Sequence, residues 1–126
     1  MVSAIDERAM QALAALAAEW ARLEEFERAL RGDPEFRDVR GGVELAPERG
    51  GWRLERFVEA RPRDPDGATR AWWLEVSAEG GRWRIESNAC SGRDDFTVNR
   101  GVCHADSGEE LALRLHGEVS RLMRCR

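Results

Sequence analysis

The residues able to do chemistry are few. Cys103 and His104 are neighbours, a candidate nucleophile and base or, with Cys90 and Cys125, a candidate zinc site. The three cysteines form no CxxC pair and lack metal-type spacing, so free thiols are expected. Catalytic Cys and His are usually brought together by the fold, not by sequence adjacency. His116 lies in Leu115-His116-Gly117-Glu118, which is not the two-histidine zinc helix. Asp94-Asp95 would point to opposite faces of a strand, so loop capping is favoured over an acid/base or metal pair. The glycine pairs at 41, 50 and 80 open no phosphate-binding helix and read as turns. These patterns predict no catalytic residues, no metal and no cofactor.

A second kind of chemistry is recognition. Residues 70 to 88 hold three of the five tryptophans and read as a β-hairpin joined at Gly80-Gly81. Trp72, Leu74 and Val76 share one face of its first strand, and Trp83 and Ile85 one face of its second. Bringing these faces together requires an even loop. A Gly80-Gly81 loop sets Glu75 opposite Glu86, and a Glu79-Gly80 loop sets Glu75 opposite Arg84; cross-strand charge favours the second. The opposite face carries Trp73 among charges. It joins Arg53, Glu55 and Phe57 of the preceding strand to Glu75, Arg82 and Arg84 of the hairpin, a charged field with two aromatic anchors. Aromatic residues ringed by arginines are common binding hot spots. The competing reading places Trp73 flat beneath an arginine stem or the 62–69 loop.

The elements that position these residues follow from periodicity. Leu13, Leu16, Trp20, Leu23, Phe26 and Leu30 predict a helix over residues 3 to 31, capped by Ser3 and stopped by Gly32-Asp33-Pro34. At about 42 Å such a helix must lie across a sheet, break or project. Residues 33 to 42 read as loop, Val43 and Leu45 as a short strand ended by Pro47, and residues 52 to 61 as a strand with Trp52, Leu54, Val58 and Ala60 inward. Arg56 interrupts that apolar face. Either a bulge carries it to solvent, the favoured reading, or it anchors an anionic small molecule in a pocket between sheet and helices. Phe96 and Val98 predict a last strand, and Ser107 and Glu110 cap a closing helix over 107 to 124. The expected fold is one α+β domain over residues 1 to 126. It has a four- to five-stranded antiparallel meander flanked by a long N-terminal helix and a C-terminal helix.

All 20 basic residues are arginine and the net charge is -4, which argues against general nucleic-acid binding and leans toward a basic partner. No apolar run approaches the roughly 20 residues of a membrane span. The first eight residues, Met1 to Arg8, lack the features of a secretory signal, so a cytoplasmic location is expected.

In pattern, the hairpin from Arg70 to Glu86 and the capped helix beginning Ser107-Gly108-Glu109-Glu110-Leu111 resemble small acidic bacterial immunity proteins. The resemblance implies a non-enzymatic protein-binding module that neutralises a cognate toxin. The composition is also similar to that of bacterial secretion chaperones, which bind an effector segment and often dimerise. Monomer and homodimer both stay open.

Overall fold

The computed structural model describes residues 6–48, 50–91 and 97–125. Ser3, Asp94, Asp95 and Phe96 lie outside them, and the inward placement expected of Val98 falls on a side chain that is not described. In chain order the elements are α1 (Glu7–Ala18), α2 (Trp20–Arg31), β1 (Phe36–Glu48), β2 (Gly51–Pro62), β3 (Arg70–Glu79), β4 (Arg82–Ser91), β5 (Thr97–Ala105) and α3 (Gly108–Met123). The strands form an antiparallel meander in sequence order, so the fold is α+β.

The N-terminal helix breaks. Asp6 is the cap of α1, its Oδ1 accepting from the amides of Arg8 and Ala9 at 3.0 and 3.1 Å. At Glu19 the backbone leaves the helix, and the Glu19 carboxylate is held by Arg22 and by Nδ1 of His116 on α3, at 3.0 Å. The break gives two short helices with different neighbours. α1 packs against α3, β2 and β3, while α2 packs against β1. Ser107 caps α3, accepting from the Glu110 amide at 3.1 Å, and Leu111, Leu115, Val119 and Leu122 form its buried stripe.

The core lies between the helices and one sheet face. Trp52, Leu54, Val58, Ala60, Trp72, Leu74, Val76, Trp83 and Ile85 all point into it, as period-two alternation predicts. Two inward tryptophans find backbone acceptors across the layer: Trp83 Nε1 donates to the Arg8 carbonyl and Trp72 Nε1 to that of Cys125. Phe26 meets Trp72 edge to face, with ring centroids 5.2 Å apart.

The extent of β1 needs correction. Residues 36 to 42 belong to β1, not to a loop. Their glycines make room for neighbours: a Cβ on Gly41 would overlap the Glu27 carboxylate, and one on Gly42 would lie 2.7 Å from the Phe57 ring. Pro47 does not end the strand; β1 is at the sheet edge, where proline is tolerated because alternate backbone nitrogens face away from the neighbouring strand.

The hairpin register also needs correction. Glu79 pairs with Arg82 and Glu75 with Glu86, so the loop is Gly80-Gly81. Both glycines have positive φ, +56° and +81°, as a two-residue turn matched to strand twist requires. Turn geometry outweighs the Glu75–Arg84 pairing because Glu86 finds other cations, Arg84 at 3.2 Å and Arg100 at 2.6 Å. Replacing Gly81 by Ala is expected to cost about 1–2 kcal/mol in urea unfolding, whereas Gly80→Asn is tolerated.

Candidate recognition face

The outer sheet face collects the charged residues, and the register arranges them in rows. One row runs Gly42, Phe57, Trp73, Asn88, Arg100 across all five strands. The next runs Glu44, Glu55, Glu75, Glu86, placing four carboxylates side by side. Phe57 and Trp73 are therefore direct cross-strand partners. Trp73 is half-buried, and Phe57 keeps 38% of its surface exposed. Between them lies a depression of about 420 Å³, lined by both aromatics and by Arg53, Glu55, Glu59 and Glu75.

Gly42 shapes this depression. The Phe57 ring lies over its bare Cα, leaning toward β1 and away from Trp73. Among the described residues the cation-π contacts join Arg8 to Trp83 at 5.6 Å and Arg56 to Trp20 at 4.9 Å. Neither of these falls on Trp73, which is half-buried.

The electrostatics of the row are uneven. Arg53 serves three carboxylates, Glu48 at 3.3 Å, Glu55 at 3.7 Å and Glu75 at 4.0 Å. Burial pushes the Glu75 pKa up; Arg53 opposes this, while Glu86, Glu55 and Glu48 reinforce it. Glu86 goes the other way. Burial disfavours its charge, but hydrogen bonds from Arg100 and Arg84 outweigh that and lower its pKa. The row thus has a neutralised end at β4 and an under-neutralised middle at β3.

Of the residues singled out in the sequence, Phe57, Trp73, Arg53, Glu55 and Glu75 surround one depression. Arg84 stands beside it on Glu86, and Arg82 lies apart near the turn, paired with Asp106 at 3.0 Å. Gly42 and Glu44 are additions, hidden while β1 read as loop and short strand. Arg100 is another, and its sequence context carries no signal of that role.

Arg56 is not bulged out. β2 pairs in unbroken register through it, opposite Val43 and Leu74, and the side chain is buried at 4% exposure. Its guanidinium binds the Glu27 carboxylate, donates to the Phe57 carbonyl and stacks on Trp20. The space beside it, lined by Leu23, Phe26, Trp72 and Met123, is about 20 Å³, room for one water. Arg56 already has its anion in Glu27, and that space is far too small for a drug-sized ligand.

Cys103 and His104 face apart. Cys103 Sγ lies 3.7 Å from Glu118 on α3, and burial, followed by the Glu118 charge, raises its pKa. His104 Nε2 lies 2.8 Å from Glu79 on the outer face. Among the described residues no disulfide joins Cys90, Cys103 or Cys125. Among the described residues no group of three or more His, Cys, Asp or Glu side chains is placed to hold a metal ion, and no helix is long and apolar enough to cross a membrane. No protein-family model, curated protein or solved structure matches the chain.

Two outcomes follow from these charges. Glu27→Ala leaves Arg56 buried without its anion and is expected to lower stability by about 3–5 kcal/mol, while Glu27→Leu combined with Arg56→Met recovers most of it in urea titrations. Glu75 ionises less readily folded than unfolded, so its charge opposes folding above the unfolded carboxylate range. Glu75→Gln should therefore raise Tm at pH 7, and the gain should vanish as pH falls below about 4.5.

Proposed function

We propose that this chain is a non-enzymatic protein-binding module that docks its partner on the outer face of the sheet. The observation carrying this reading is the Phe57–Trp73 pair. Both aromatics stand on the face opposite the helices, at directly opposed positions, around an open depression rimmed by carboxylates. Folding needs no aromatic residue there, and burying two such anchors supplies the hot-spot energy of a standard interface. The divergence of Cys103 from His104 and the internal engagement of Arg56 both favour binding over catalysis.

Within this reading, the acidic composition and the resemblance in pattern to immunity proteins point to a toxin with a basic surface as the partner class. The first protein to test is the product of the adjacent gene, co-expressed with this chain. Phe57→Ala and Trp73→Ala are each expected to weaken the complex at least about thirtyfold in calorimetric titration. Tm should fall only modestly, by less than for a core tryptophan such as Trp72, because both residues are partly exposed. Undiminished affinity in both variants would exclude this face.

A further inference from the structure

We propose that the depression between Phe57 and Trp73 is a socket for one arginine side chain of the partner, its guanidinium stacked on Trp73 and paired with Glu75 and Glu55. The inference rests on the outer sheet face being the docking surface and names what that surface holds.

Charge complementarity identifies the occupant. The depression is rimmed by Glu55, Glu59 and Glu75. Glu59 has its own cation in Arg61 at 3.1 Å. Arg53 is divided among Glu48, Glu55 and Glu75, one positive charge against three negative, and its separation from Glu75 is the longest of the three. Among the described residues Arg53 is the one cation paired with Glu75. Like charges directly opposed across strands are unfavourable, and Glu75 has one on each side, Glu55 and Glu86. An added cation relieves both repulsions at once. Burial, and after it Glu86, Glu55 and Glu48, raise the Glu75 pKa against the lowering by Arg53, so a further cation beside it favours the charged form.

The walls favour a guanidinium over an ammonium. Trp73 offers a flat π surface, and Glu55 and Glu75, adjacent in register, offer acceptors beside it. A planar guanidinium can stack and donate along its edge simultaneously, which a compact, strongly hydrated ammonium cannot. The space is adequate: about 420 Å³ accommodates the head group and its methylene stem. Gly42 keeps it open by letting the Phe57 ring rest on β1. Phe57 then forms the apolar wall against which an arginine stem packs.

The test uses the intact protein and three blocked tripeptides, Gly-Arg-Gly, Gly-Lys-Gly and Gly-citrulline-Gly, titrated at low salt. The indole N–H resonance of Trp73, assigned by its loss in Trp73→Phe, is followed by NMR. The arginine peptide is expected to shift this resonance saturably, with the lysine peptide weaker and the neutral citrulline peptide inactive. Glu75→Gln should weaken arginine binding roughly three- to fivefold. Gly42→Ala, which displaces the Phe57 ring without altering any charge, should weaken it too. Glu109→Gln, an equal change of net charge in the first turn of α3, should leave it unchanged. Equal shifts with arginine and citrulline, or equal losses from Glu75→Gln and Glu109→Gln, would overturn the socket. If no peptide binds while partner affinity still depends on Phe57 and Trp73, the socket is wrong and the docking face stands. If partner affinity ignores both aromatics, both readings fall.

Discussion

The buried ion pair between Arg56 and Glu27 is the constraint on which both faces of the sheet depend. In a strand of unbroken register, residues alternate sides without exception, so Phe57 can face outward only if Arg56 faces inward. An inward guanidinium would be prohibitive alone. Glu27 supplies the counter-charge from α2, Trp20 a π surface at the start of the same helix, and the Phe57 carbonyl an acceptor. Gly41 on β1 leaves room for the Glu27 carboxylate. Three elements, α2, β1 and β2, are thus arranged around one charge. A bulge that released Arg56 to solvent would have turned Phe57 toward the helices and removed one wall of the depression.

The outer face shows the converse economy. Its row of glutamates is unfavourable as a set of neighbours, and the strands hold it because backbone pairing and the inward core fix the positions of the side chains. At the β4 end, Arg84 and Arg100 cancel the repulsion; at β3 it persists. A surface that carries unrelieved charge beside uncovered aromatic area is less stable than it could be. Such local disadvantages concentrate where a protein meets something else.

Much of this was legible in the residues. Alternation alone sorted Trp52, Leu54, Trp72, Leu74, Val76, Trp83 and Ile85 from Phe57 and Trp73, because the period of a half-buried strand is a purely local property. Helix periodicity located both helical regions, and the Ser107–Glu110 spacing marked the start of α3. What failed depended on partners distant in sequence. Gly41 and Gly42 looked like a turn because their reason for being glycine lies on α2 and β2. Arg56 looked misplaced because Glu27 is 29 positions away. The hairpin register misleads because the cation that β5 brings to Glu86, Arg100, is distant in sequence, while the φ demands of the turn are visible in Gly80-Gly81.

The packing of α1 on α3 has a consequence in time. The two helices stand at opposite ends of the chain order, and the bond from His116 to the helix break at Glu19 spans 97 positions. During synthesis, α1 therefore emerges before β2, β3 and α3, the elements it packs against, and the packing around Ala9, Ala12 and Leu16 is complete only once α3 has followed the meander. In this way α3 closes over α1. Contacts of such long range slow folding, and part of the apolar stripe of α1 waits for α3 before it is buried.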